Sequence, residues 1–297
     1  MKELIRGAYD LHVHPAPDVL PRKLDDLELA RRITASGMSG FASKSHYFCT
    51  AERAWLTRKL CPECDTVGTI TLNGSVGGIN PAAVEMAARA GTKLVWFPTC
   101  DSEHEQSHTL TGDPGKKLPY WAQVVLSMRE EGIDCPVIRI TDDNGKLTKA
   151  VHQVLDIIAH YQMILATSHV SHQEAFALVR AAKEHGVEHI IITHVDFPTT
   201  FYTVEEQKEF LKYGAYMEHC YTTYATGKVD FQVTLEQIQK IGADHVILST
   251  DLGQASGIYP DEGLERFADS LYENGISEKD IQKMTNQNPR ILLGKFS

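Results

Sequence analysis

Eight short apolar runs, each followed by a helical pattern, recur along the 297 residues of this chain. They are AYDLHVH at 8–14, GFASKSH at 40–46, DTVGTITL at 65–72, TKLVWFP at 92–98, MILATSH at 163–169, EHIIITH at 188–194, GAYMEHC at 214–220 and DHVILSTD at 244–251. Most are too apolar to keep one face wet, as expected of strands in a parallel sheet covered on both sides. Start and stop signals punctuate the intervening helices. Asn80-Pro81 sets a cap with proline at the first helical position. Ser171–Glu174, Thr203–Glu206 and Thr234–Gln237 read as capping boxes. Gly91, Gly186, Gly214 and Gly242 stand where helices should stop. Alternation of strand and helix argues for a parallel sheet, and eight units argue for its closure. The expected fold class is α/β, a (β/α)8 TIM barrel over residues 1–297 as one domain.

One stretch breaks the rhythm. Between the fourth and fifth runs lie some sixty residues, more than one helix needs. DSEHEQSHTLTGDPGKK reads as a long polar loop and LPYWAQVVLSMREEG as a helix. PVIRITDDNGKL reads as a small hairpin turning at Asn144-Gly145, and KAVHQVLDIIAHY as the helix that restores the count. An insertion over about 101–148, between strands 4 and 5, is placed to shape a binding mouth.

The balance of charge narrows the partners. A net charge of -10 without any Lys/Arg-rich block argues against nucleic acid. No window approaches 18 consecutive apolar residues and no apolar h-region is visible ahead of the first strand, so neither a membrane span nor a signal peptide is expected. The six cysteines are scattered rather than framed for disulfides, and Cys61-Pro-Glu-Cys64 is a lone CxxC read as a loop. These features point to a cytoplasmic protein acting on a small molecule.

Fourteen histidines remain to be sorted. In YDLHVHP, positions 12 and 14 share one side of a strand, with Leu11 and Val13 expected on the other. Two neutral imidazoles side by side pack poorly but make half of a metal site. Barrel active sites form at the C-terminal ends of the strands. That rule assigns His189 and His245, at strand bottoms, and His152, His160 and His185, on helices, to structural roles. His12, His14, His46, His169, His194 and His219 are left at strand tops, with Asp251 closing the eighth strand. Four histidines and an aspartate from strands one, five, six and eight would converge on one mouth around a divalent cation.

The motifs YDLHVHP, ATSHVS, IITHVD and LSTDLG, in this order, resemble those of the amidohydrolase superfamily, metal-dependent hydrolases on a (β/α)8 barrel. The tail EKDIQKMTNQNPRILLG is similar to the closing NPxxxxG segment of that group. The resemblance implies His12 and His14 as ligands of one metal, and His169 and His194 as ligands of a second or as partners of the first. It implies Asp251 as ligand and proton carrier. Two features depart from the pattern. The fourth strand ends Trp96-Phe97-Pro98-Thr99-Cys100-Asp101, without the lysine or glutamate that bridges two metals in many members. The chain also begins at strand one, as in compact members without a flanking small β-domain. Lys44, on the same face as His46, reads as a displaced bridge, a charge for an anionic substrate group, or a solvated amine. Asp101, Glu103 and His104 beyond strand four read as solvated loop, or as groups that reach the metal.

Imidazole and carboxylate ligands suit zinc first, one ion or two, with manganese, iron and nickel also satisfying the chemistry. Asp251 would carry the proton and His194 would polarise the bond under attack. Lys44 is the third catalytic candidate; His46, His219 and Arg139 are candidates for orienting substrate. Hydrolysis of a carbonyl-type C–N or C–O bond is the first expectation. The alternatives are a phosphoesterase like the polymerase-and-histidinol-phosphatase group, with its seven-stranded barrel, and a metal-binding barrel without catalysis. A homo-oligomer is the prior for enzymes of this kind. Gly74–Gly78 lacks dinucleotide-fold spacing, though as a barrel loop it would suit an anion.

Overall fold

The computed structural model describes residues 2–110 and 118–295. All eight expected strands form, as β1 (Tyr9–Val13), β2 (Gly40–Ser43), β3 (Asp65–Thr71), β4 (Leu94–Trp96), β5 (Ile164–Ala166), β6 (His189–Ile192), β7 (Tyr216–Cys220) and β8 (Val246–Ser249). They pair in parallel, in sequence order, as one sheet. The ends of that sheet meet just past β8: Asp251 N–H donates to the His12 carbonyl at 2.8 Å and His14 N–H to the Leu252 carbonyl at 2.8 Å. A nearly closed barrel results, the (β/α)8 form expected from eight alternating units.

Helices lie between the strands: α1 (Asp26–Ala35), α2 (Ala51–Leu60), α3 (Pro81–Arg89), α4 (Glu103–Thr109), α5 (Tyr120–Glu130), α6 (Lys149–His160), α7 (His172–Glu184) and α8 (Val204–Leu211). Then come α9 (Tyr221–Ala225), α10 (Phe231–Ile241), α11 (Pro260–Glu273), α12 (Glu278–Gln282) and α13 (Asn288–Leu292). Alternation along the strands divides the apolar residues into two layers. Leu94, Trp96, Ile164, Ala166, Ile191 and Tyr216 pack inside the barrel. Val95, Leu165, Ile190, Ile192 and Met217 face out and pack with the helices. Leu292 and Leu293, from the NPxxxxG tail, join the interior layer. Asn288 holds that tail by donating to the carbonyls of Ala243 at 2.8 Å and Val246 at 2.7 Å. No helix among the described residues is long and apolar enough to cross a membrane.

The capping signals resolve unevenly. Asn80 caps α3, and Ser171 and Thr203 make complete capping boxes at α7 and α8. Thr234 does not start a helix: Asp230 caps α10 four residues earlier, and Thr234 lies buried inside it with its hydroxyl donating to Asp196 at 2.6 Å. Its hydroxyl is committed to a neighbouring element, so the local pattern was overridden. The stretch read as a polar loop also differs. Its first half forms α4, with Glu105 and Gln106 buried, while 111–117 lie outside the described residues. The hairpin forms, with Thr141 bridging Leu147 and Gly145 at φ +73°.

β1 carries the deviation that matters most. Its pairing with β2 advances three residues on β1 for two on β2 between Asp10 and Val13. A bulge of this kind re-aims the side chains beyond it. Leu11 therefore packs inside the barrel, not opposite the histidines, while Val13 joins the outer layer. The phase change turns the ring of His12 inward, 4.5 Å between centroids from the interior Trp96.

Candidate metal centre

At the C-terminal end of the barrel His12, His14 and Asp251 come together. The Nε2 atoms of His14 and His12 lie 3.1 and 3.3 Å from Asp251 Oδ1. One donor atom from each of the three residues falls within 4.8 Å of the others. His194 stands beside them, its ring 4.8 Å from that of His12 and 5.4 Å from that of His169. Three residues where the strands end leave the usual backbone regions: Ser168 at φ +58°, His194 at φ +54° and Asp251 at φ +54°. Left-handed backbone is uncommon for residues other than glycine and clusters at sites where function demands a fixed direction. Here it re-aims β5, β6 and β8 at one point.

Electrostatics leave these groups ready to bind a cation. Burial pushes the His12 and His194 rings well below the usual imidazole range, and that of His14 to about 3, with Arg22 adding to the effect on His14. Neutral imidazoles follow, each with one ring nitrogen able to offer a lone pair to a cation. Burial pushes the Asp251 carboxyl up, but the His12 ring and the hydrogen bond from His14 hold it well below the usual carboxylate range. His194 Nδ1 is buried without a hydrogen-bond partner, a costly state that a ligand relieves. On donor chemistry, burial and this orphaned nitrogen, the residues fit a divalent ion.

Below that level lies a residue the sequence reading missed. Glu218, wholly buried on β7, places its carboxylate oxygens 3.2 and 3.3 Å from His12 Nδ1. Glu218 and Cys220, with His12 and His194, form a second group of donor atoms within 4.8 Å. Alternation explains the miss. Tyr216 faces in and Met217 out, so on β7 Glu218 faces in and His219 out. His219 accordingly sits away from the cavity, wholly buried, with Nδ1 3.0 Å from Asp196. The one acid of β7, two residues from the inward Tyr216, was the available signal.

Lys44 is no solvated amine. It is wholly buried, with Nζ 2.7 Å from His12 Nε2 and 4.0 Å above the Trp96 ring. Burial pulls its ammonium down to about 8. His46 lines the same cavity, stacks on His14 at 4.7 Å and meets Thr99 Oγ1 at 2.8 Å. His169 Nδ1 meets Glu105 at 3.0 Å, from the helix α4 that had read as loop. Arg139 is not brought to the site: exposed on the insertion, it pairs with Glu103 at 3.1 Å and Asp143 at 3.4 Å. His104 contacts the Thr199 carbonyl, and Asp101 accepts from Gly74 N–H at 2.8 Å, which takes up an amide of the Gly74–Gly78 loop. Cys61 and Cys64 lie between α2 and β3 as free thiols.

His12, His14, Lys44, His194 and Asp251 line the floor of a cavity of about 530 Å³. Its walls come from the insertion, with Leu118 to Trp121, and from the segment after β6, with Phe197 and Pro198. A family profile described as "Family of unknown function (DUF6282)" matches residues 7–218. The chain belongs to the DUF6282 family. No curated protein matches it by sequence. Among solved structures it is similar to the phosphotriesterase homology protein from Escherichia coli, complexed with phosphate in the active site, at 15% identity, TM-score 0.58, covering 97% of this chain and 99% of that one. It is similar to an amidohydrolase from Pseudomonas aeruginosa at 11% identity and TM-score 0.53, covering 99% and 97%. The lactonase Lmo2620 from Listeria monocytogenes gives 13%, 0.56, 99% and 97%. The resemblance to the amidohydrolase superfamily thus holds at the level of the fold.

Proposed function

We propose that this DUF6282 member is a metal-dependent hydrolase of the amidohydrolase type. It cleaves a carbonyl-type C–N or C–O bond (amide, cyclic amide or lactone) in a small molecule. One observation carries the reading: Asp251, from the last strand, meets His12 and His14, from the first, on the floor of a large cavity. The likeness of the fold to a lactonase and an amidohydrolase supports it.

His12, His14 and Asp251 would hold one ion, zinc by preference, with His169 and His194 as ligands of a second or as its neighbours. A divalent ion there supplies Lewis acidity and lowers the pKa of water from about 15.7 to near 7. Asp251 takes the proton of the attacking water and returns it to the leaving group. Its second oxygen is held by Thr222 Oγ1 at 3.1 Å, which fixes the direction of transfer. His194 polarises the carbonyl, and the Lys44 ammonium meets the oxygen that gains charge. Glu218 accepts from His12 Nδ1 and so presents Nε2 to the cavity. His46 borders the bound substrate.

A phosphoester is the second substrate class, favoured by the phosphate-bound Escherichia coli protein of similar fold. Eight strands rather than seven argue against the polymerase-and-histidinol-phosphatase group. The test is protein loaded with zinc or manganese, assayed on lactone, amide and phosphoester panels with metal content measured in parallel. Asp251→Asn should keep its metal and lose about 100-fold or more in turnover. His12→Asn should lose the metal. Undiminished turnover in Asp251→Asn overturns the assignment; metal retention with no turnover on any panel favours a non-catalytic metal-binding barrel.

A further inference from the structure

Three cations line the cavity among the described residues, and two are already committed. Arg22 is paired with Asp18 at 2.6 Å, and Lys44, wholly buried on the floor beside His12, is taken by the proposed reaction itself. The third, Lys228, is exposed, and among the described residues its ammonium has neither a carboxylate nor a hydrogen-bond partner, only the ring of Phe197. The anions on the wall need no further cation: Glu105 is held by His169, Thr199 and Thr109, and Asp251 by His14 and Thr222. On a chain of net charge -10, a cation left unpaired at the mouth of the cavity stands out.

Its backbone is anchored rather than incidental. Helix α9 ends in a Schellman motif, with Gly227 at φ +72° donating to the Tyr224 carbonyl at 2.9 Å and Lys228 N–H to that of Thr223 at 3.2 Å. From that anchor the ammonium lies 4.2 Å from the centroid of the Phe197 ring. The same ring is 5.2 Å from that of His194 and 6.2 Å from that of His169. Phe197 therefore forms a flat apolar wall from the metal-centre histidines to the free cation. Trp121 and Leu118 add apolar surface to the cavity.

We propose that the substrate is a carboxylate-bearing molecule with a flat apolar body, aromatic in the simplest case. The body lies along Phe197, the carboxylate meets Lys228 at the mouth, and the scissile group reaches the floor. Lys228 is then a specificity-determining residue. A single ammonium matches a monoanionic carboxylate better than a phosphate, which calls for several convergent donors. The inference rests on the hydrolase reading for the bond that is cut, but not for what the cavity holds.

Calorimetry on the zinc-loaded full chain tests it, with 4-acetylbenzoate and 1,4-diacetylbenzene as probes. Both offer a carbonyl without a hydrolysable bond to the floor; only 4-acetylbenzoate carries a carboxylate for Lys228. Wild type should bind 4-acetylbenzoate about tenfold tighter than 1,4-diacetylbenzene. Added salt should narrow that preference. Lys228→Met should abolish it while leaving 1,4-diacetylbenzene within about twofold; Lys228→Arg should preserve it. Equal binding of the two probes by wild type, a preference that survives in Lys228→Met, or no binding of either would each overturn the proposal. Failure of the hydrolase reading shows separately, as a substrate panel without turnover on protein that still discriminates the two probes.

Discussion

At the scale of single residues, the centre depends on how each imidazole is held. Glu218 is buried and sees His12 through one ring nitrogen, so its charge fixes which nitrogen carries the proton. Glu218→Gln keeps the shape and removes the charge. Metal affinity should fall about tenfold in a chelator competition, with the fold intact by circular dichroism. An affinity equal to wild type would mean that His12 is oriented by packing on Trp96 alone. Lys44 makes the complementary case. Its ammonium sits among the same side chains, and Lys44→Met replaces a buried charge by an apolar stem of similar length. Metal content should hold while kcat falls about 100-fold, as expected when an oxyanion loses its one ammonium partner. A variant that loses metal instead would place Lys44 with the ligands. Alternation with His46 picked out Lys44 but left three readings of it open, and nothing near Glu218 in sequence gave its role. Glu218 lies 206 positions from His12, and Lys44 lies 32 from it.

Elements were more legible than the residues they carry. Strands buried on both faces announce themselves as apolar runs, because a parallel barrel leaves them no wet side. Capping boxes were equally plain where the box itself starts the helix, as at Thr203. There Glu206 accepts from Thr203 N–H at 2.7 Å and pairs with His172 at 3.0 Å. Burial pushes the Glu206 carboxyl up, but the Thr203 hydrogen bonds and His172 hold it below its ordinary 4.5. A depressed folded-state value stabilises above the unfolded one and is lost as pH falls through it. Glu206→Ala should thus cost about 0.5–1 kcal/mol at pH 7, read by urea denaturation. The gap from wild type should close as pH drops below 4.5. A gap unchanged at low pH would assign the loss to something other than the charged box. Helix α4 escaped notice for the opposite reason. EHEQSHT has no apolar period, and what buries Glu105 is a tertiary partner, His169. The bulge in β1 left no mark either, since it arises from how β1 registers against β2.

For the whole molecule, closing the barrel and building the centre are one event. The seam after β8 runs through the ligand-bearing segments themselves: Asp251 N–H bonds the His12 carbonyl, and His14 N–H bonds that of Leu252. Asp10 ties the same seam from below, accepting from the Thr250 amide at 3.1 Å and from its hydroxyl. Gly253 lets the two strand ends approach this closely. Its φ is +137°, and a Cβ there would lie 2.0 Å from the His14 carbonyl oxygen and 2.7 Å from its carbon. Backbone atoms of a closed barrel cannot yield by such an amount locally, so Gly253→Ala must part the seam. We expect a loss of about 3 kcal/mol or more together with most of the metal. Gly37→Ala supplies the control. It carries a similar left-handed penalty, φ +82°, but a Cβ there meets nothing within 4 Å. It should cost about 1 kcal/mol and keep the metal. Thermal unfolding with metal analysis on both variants separates strain in a loop from rupture of the seam. Full metal content in Gly253→Ala would show that the centre stands independently of barrel closure, and the coupling argued from these bonds would fail.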